Sequence, residues 1–263
     1  MTADILEILA RSAEERVAAA KKEVPLDKIR EQAFGCNTDT GFPFEKALDS
    51  DTIEFICECK KASPSKGLIA PDFPYLEIAK QYEDAGAACI SVLTEPTKFL
   101  GEDRYLKEIA ETVHLPCLRK DFVVDEYMIY QAKLLGASAV LLICSILDEK
   151  RLQEYADISR DLGLSVLCES HDRNEVEIAV ASGAKVIGVN NRDLRTFKVD
   201  INNCIRLREY VPDDRIFVAE SGIKTPAQVA ELYHAGVNAA LIGETFMRSP
   251  DRKKALAELR GEI

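Results

Sequence analysis

No apolar run in this 263-residue chain approaches the ~18 residues that a membrane-spanning helix needs, so no membrane partner is expected. The first residues, MTADILEILARSAEERVAAAKKEV, mix acids with bases and lack the apolar core of a signal peptide. The eight cysteines include no CxxC pair, and His114, His171 and His234 stand singly, which argues against a structural metal. Cys57, Cys59, Cys89, Cys144 and Cys168 lie instead in apolar runs, where a reduced thiol behaves as a small hydrophobe. A cytoplasmic protein with reduced thiols is the expectation. Positive charge is in deficit: 34 Lys and Arg against 45 Asp and Glu leave a net charge of −11. That balance disfavours nucleic acid and anionic membrane surfaces as partners. It leaves a small anionic ligand open, because the charge of one site can oppose that of the whole molecule.

What the chain does have is a repeat. DAGAACISVL (84–93), LLGASAVLLI (134–143), DLGLSVLCES (161–170), ASGAKVIGVN (181–190) and HAGVNAALIG (234–243) each run from a helix tail through a glycine into an apolar strand. Gly86, Gly136, Gly163, Gly183 and Gly236 read as left-handed residues that close those helices. Runs at 53–59, 115–121 and 215–220 complete eight strands. Residues near the strand ends, Glu58, Leu93, Lys120, Cys144, Glu169, Asn190, Glu220 and Gly243, are spaced by 21 to 35 positions. Each interval holds one loop, one helix and one strand. In TPAQVAELYHAG, Thr225 is placed to cap a helix, with Pro226 at its first position and Gln228 completing a capping box. With 47% apolar residues to fill a core, the chain predicts an α/β fold of the (β/α)8 TIM-barrel type. An open doubly wound sheet is the alternative, but no GxGxxG follows the first strand.

Residues 1–50 stand outside the repeat and predict an N-terminal helical extension, with residues 1–263 forming one domain. Ile5, Leu9, Ala13, Val17 and Ala20 recur at helical spacing, Val24-Pro25 breaks the pattern, and a shorter helix precedes Gly35. The extension is expected to pack over the barrel or to cap one end of it.

The run FICECKKASPSKG (55–67) places polar side chains where a buried strand must end. Alternation puts Ile56, Glu58 and Lys60 on one face and Phe55, Cys57 and Cys59 on the other. A carboxylate and an ammonium on the inward face of such a strand are costly unless they pair or do chemistry. Lys120 follows the third strand, Glu169 the fifth, Asn190 and Arg192 the sixth, and Glu220 and Ser221 the seventh. In a barrel these are the strand ends that carry catalysis. Each has a bland reading: ion pairs that seal the core, a solvated strand end at Arg119-Lys120-Asp121, or turn residues at Asn190-Asn191. Those readings would require several strands of one rim to be polar by accident. Carboxylates and lysines converging there predict proton transfer without metal or nucleotide. Glu220-Ser221-Gly222 and Ile242-Gly243-Glu244 end the last two strands, where backbone N–H groups commonly hold phosphate.

FICECKKASPSKG, SVLTE, LRKDF, GVNNRDL, ESGI and LIGE resemble, in this order, the strand-end motifs of indole-3-glycerol phosphate synthases. The resemblance runs from about residue 50 to 250 and includes the helical extension in outline. It implies a cofactor-free, metal-free lyase of tryptophan biosynthesis. The substrate would be 1-(2-carboxyphenylamino)-1-deoxyribulose 5-phosphate, an anion carrying a carboxylate and a sugar phosphate. Carried over by motif, Lys120 would be the general acid, Lys60 oriented by Glu58 would meet the substrate carboxylate, and Glu169 would serve as base. Asn190, Arg192 and Glu220 would hold sugar hydroxyls and neighbouring charges, and Phe99 and Phe122 would flank the aromatic ring. Ser63, Ser221, Gly222, Gly243 and Glu244 would line the carboxylate and phosphate ends, with Glu244 contributing only its backbone N–H. A monomer, or at most a weak oligomer, is expected. A Schiff-base aldolase on the same barrel and a non-catalytic binding subunit are the rival readings. The segment from Lys60 to about Pro74 is too irregular for a helix and predicts a lid.

Overall fold

The computed structural model describes residues 5–263. Its eight barrel strands are β1 (Glu54–Cys59), β2 (Cys89–Leu93), β3 (Cys117–Lys120), β4 (Ala139–Ile143), β5 (Ser165–Ser170), β6 (Val186–Asn190), β7 (Ile216–Glu220) and β8 (Ala239–Ile242). All pair in parallel, each with its neighbours in sequence, and β1 closes the sheet against β8 with Ile56 opposite Leu241. This is the (β/α)8 barrel expected from the repeat. The expected strand at 115–121 is shorter, Cys117–Lys120, leaving out Leu115, Pro116 and Asp121. The parallel strands are buried on both faces, which is why they read as unbroken apolar runs rather than alternating ones.

Register decides what stands level at the rim. Leu93 lies opposite Lys120, Ile143 opposite Glu169, and Asn190 opposite Glu220. The polar residues therefore sit in one layer at the carboxyl ends of the strands. The five repeat glycines take positive φ between 69° and 82°, which carries each helix into its turn. At Gly163 the requirement is also steric, since an added Cβ would collide with the carbonyl oxygen of Thr38. The helix Pro226–His234 starts as its sequence demands: Thr225 accepts from Gln228 N–H, and the Gln228 side chain accepts in return from Thr225 N–H.

The extension begins with α1 (Ile5–Glu23) and α2 (Leu26–Phe34), divided at Pro25, and it adds α3 (Pro43–Leu48), which the periodicity does not reveal. The two outer helices do different jobs. Leu9, Ala13 and Val17 bury one face of α1, and Ile5, Leu6 and Leu9 reach the cavity at the carboxyl rim. Arg16 pairs with Asp121 at 2.7 Å and Lys21 with Asp125 at 2.7 Å, both just beyond β3. α3 lies at the opposite rim, with Phe44 fully buried and its carbonyl facing Cys89 at the start of β2. The extension thus covers the barrel at both ends. Among the described residues no helix is long and apolar enough to cross a membrane.

Candidate active site

Every residue proposed from the sequence lines one cavity of about 500 Å³ at the carboxyl rim. Its centre is Lys120, carried up by β3 and nearly buried. Lys120 Nζ lies 3.0 Å from Glu169 Oε2 and 3.3 Å from Glu220 Oε2, so one ammonium bridges carboxylates from β5 and β7. Lys60, just past β1, sits 2.5 Å from Glu58 Oε1 as the second ion pair. Ser91 on β2 donates to the other Glu58 oxygen at 3.4 Å. Asn190 Nδ2 donates to Glu169 Oε1 at 3.3 Å. Gly243 closes this floor: a Cβ there would run into Glu58 Oε1 and stand 3.0 Å from Lys60 Nζ. A side chain at Gly243, just past β8, would displace that ion pair.

One lysine cannot neutralise two buried carboxylates, and the electrostatics separate them. Burial alone would raise Glu169, but Lys120 and His171 together with hydrogen bonds from Lys120 and Asn190 bring its pKa down to about 2. Glu220 is pushed up to about 8 by burial, against the pull of Lys120 and with the help of neighbouring Glu169. Its Oε1 is buried without a hydrogen-bond partner. Glu169 is therefore the ionised member and Glu220 the one that keeps a proton near neutrality. Burial also works against the Lys120 ammonium, yet Glu169, Glu220 and Glu58 outweigh it and hold its pKa above the ordinary lysine value. Lys120 stays charged.

The aromatic pair forms a single wall. Phe99 and Phe122 have ring centroids 6.1 Å apart, which is direct contact and leaves no width for a third ring between them. Leu6, Leu9, Leu141 and Ile143 extend the apolar lining. Ser221 and Gly222 are both left-handed, with φ of 68° and 86°, and turn the chain sharply at the mouth. Glu244 pairs with Arg248 at 3.0 Å and with Lys66 at 3.7 Å. Burial would raise its pKa, but Arg248 and Lys66 bring it down, so it is ionised. Arg192 donates its backbone N–H to Asn190 Oδ1 and a guanidinium N–H to the Phe197 carbonyl.

Several contributors escape a reading of the sequence. Asp121 is fully buried and takes Arg16, Thr94 at 2.7 Å and the backbone N–H of Phe122. Arg119, also buried, reaches Asp103, the Met128 carbonyl and Thr94. The flanks of Lys120 are thus a locked ionic frame, not a solvated strand end. Glu95 is wholly buried and accepts from the backbone of Thr97, Lys98 and Phe99, which holds the loop that carries Phe99. Asn191 ties the β6 end to Ser221 and to Cys204. His171 stands behind Glu169. The SVLTE and LRKDF runs marked the places, but the partner of Asp121 lies 105 residues away in sequence.

A (β/α)8 barrel with an acid–base centre of lysines and carboxylates in its carboxyl-end cavity defines the class of barrel enzymes that move protons on small substrates. The family model for indole-3-glycerol phosphate synthase matches residues 6–259, and the chain belongs to that family. The indole-3-glycerol phosphate synthase of Ruminiclostridium cellulolyticum is 54% identical over 257 residues, 98% of this chain and 99% of that one. That of Endomicrobium trichonymphae is 49% identical, covering 97% of this chain and 99% of its own length. Among solved structures, a 3-hexulose-6-phosphate synthase superposes with a TM-score of 0.65 at 17% identity, covering 80% of this chain and 100% of that one. A tryptophan synthase α-subunit from Pyrococcus furiosus does so with 0.59 at 12% identity over 80% of this chain and 98% of that one. At these identities they speak for the barrel alone.

Proposed function

We propose that this cavity converts 1-(2-carboxyphenylamino)-1-deoxyribulose 5-phosphate to indole-3-glycerol phosphate, with the site residues acting in the following roles. The observation that carries the reading is Lys120 held between Glu169 and Glu220, with Lys60 paired to Glu58 in the same cavity. The aromatic carbon that bears the carboxylate attacks the ketone while Lys120 gives its proton to the ketone oxygen. Loss of carbon dioxide returns the electron pair to the ring. The new hydroxyl then leaves as water by taking a proton from the Lys60 ammonium, and Glu169, ionised beside its cations, accepts the C–H proton released as the indole forms; that proton and one from solvent restore the two lysines. Lys60, steadied by Glu58, holds the substrate carboxylate together with Ser63. Asn190, Arg192 and protonated Glu220 hold the sugar hydroxyls. Backbone N–H groups of Ser221, Gly222, Gly243 and Glu244 take the phosphate, and Phe99 and Phe122 form one wall for the aromatic ring. The steps need neither cofactor nor metal. Ile5, Leu6 and Leu9 of the extension line the same cavity as the barrel residues, which supports one working domain, and a monomer acting in the cytoplasm completes the proposal.

A Schiff-base aldolase needs a neutral amine, and the raised pKa of Lys120 works against that chemistry. The decisive experiment adds the carboxyphenylamino-deoxyribulose phosphate to purified protein and follows indole fluorescence. The chain has no tryptophan, so the signal rises from a background of 8 tyrosines. Absence of both indole fluorescence and released carbon dioxide would overturn the reading.

A further inference from the structure

His171 is the first residue beyond β5, two positions after Glu169, and it does not line the cavity. It is clamped on three sides. Its backbone N–H donates to Glu175 Oε2 at 2.8 Å, its carbonyl accepts from Asn203 Nδ2 at 3.0 Å, and its Nδ1 lies 3.0 Å from the same Glu175 oxygen. Glu175 is itself fixed in the first turn of the helix Arg173–Ala181, where Asp172 caps its N–H. The remaining ring atom, Nε2, is buried without a hydrogen bond and points its charge at Glu169 Oε1, 3.5 Å away. Lys120 holds the opposite oxygen, Oε2.

We infer that His171 is a positioning residue that keeps Glu169 ionised and in place while Lys120 is without its proton. This rests on the proposed reaction. When Lys120 transfers its proton to the ketone oxygen, an N–H bond breaks, an O–H bond forms, and the ammonium becomes a neutral amine. At that moment Glu169 loses its nearest cation while remaining buried. A buried carboxylate so placed would take up a proton and cease to be a base. The imidazolium prevents this. Burial works against its charge, but Glu175, Glu169 and Glu220 surround it and raise its pKa to about 9. It therefore stays charged across the neutral range, and neither Lys120 nor the substrate has to supply that charge.

The test is the pH profile of kcat for His171→Gln, which keeps a donor of similar reach but no charge, beside wild type and Glu175→Gln. An opposite charge at this range holds a carboxyl down by about one to three pH units. The acid limb of kcat should accordingly move up by about one unit or more in His171→Gln and by less in Glu175→Gln. KM should stay within about twofold of wild type, because His171 does not reach the substrate. A superimposable profile, or a loss of equal size at every pH with a raised KM, overturns the inference while leaving the reaction itself intact. A wild type that forms no indole product sinks the reaction and this role with it. Should His171→Gln fail to fold, an NMR titration of the wild-type imidazole decides, since the chain has only three histidines. Titration near the ordinary 6.5 would overturn the inference; titration near 9 supports it.

Discussion

At the scale of single residues, the chemistry depends on how unequal environments divide protons among similar groups. Lys120→Ala should lower kcat by ~10²–10⁴-fold with little change in KM, because its hydrogen bond strengthens as charge develops on the ketone oxygen. A fall of less than about tenfold would move the acid role to Lys60. Glu220 offers a pH test. With its pKa pushed up to about 8, it is neutral at pH 7 and donates a hydrogen bond; above that pH it becomes an anion facing an anionic substrate. KM should therefore climb as pH passes about 8 in the wild type and stay level in Glu220→Gln. Steady-state kinetics from pH 6.5 to 9 would show it, and a parallel rise in both proteins would remove Glu220 from substrate binding. Glu58, Lys60, Lys120, Glu169 and Glu220 were legible from the sequence because each is a charge at the end of an apolar run. His171 was not, since a lone histidine after a strand looks like any helix-entry residue, and its meaning lies in a 3.5 Å contact.

At the scale of elements, the β strands were readable for the reason that parallel strands in a barrel are apolar throughout, and the helix ends because glycine and the Thr225 capping box carry geometric requirements. Short elements were not. α3 spans six residues, too few for a periodic pattern, and is held by tertiary burial of Phe44 and Leu48. The segment after β1 contains a small hairpin, Ala62–Ser63 paired antiparallel with Gly67–Leu68. The Lys61 carbonyl accepts from Ile69 and Ala70, and Ala62 N–H donates to the Phe99 carbonyl. The segment is thus rooted at its base and exposed at its tip, where Lys66, Gly67 and Leu68 face solvent. Trypsin should therefore cut the free protein after Lys66 in preference to Lys61, and saturating product should protect the site as its phosphate draws Lys66 inward. Mass spectrometry of the early fragments would identify the bond. Equal cleavage with and without product would exclude a substrate-gated lid.

At the scale of the whole molecule, the burial that equips the site also sets how the fold responds to pH. Glu169, held down to about 2, favours the folded state above the ordinary 4.5 and loses that contribution as the medium is acidified through its folded pKa. Buried Asp121 is also lowered, by Arg16, Arg119 and Thr94 against its desolvation, and acts in the same direction. His171 and Glu220 act in the opposite direction. His171 is raised from 6.5 to about 9, so its contribution is complete below 6.5 and is lost as pH climbs through 9. Glu220 is raised from 4.5 to about 8, so the unfolded chain ionises it first and the fold loses ground between those values. Together they place maximal stability on the mildly acidic side of neutrality. The melting temperature should therefore fall from about pH 6 to pH 9. Glu220→Gln should flatten the part below 8, and His171→Gln the part between 6.5 and 9. Calorimetry at constant ionic strength would measure both slopes. A wild-type melting temperature that is flat or rising over this range would show that neither group is held as these contacts require.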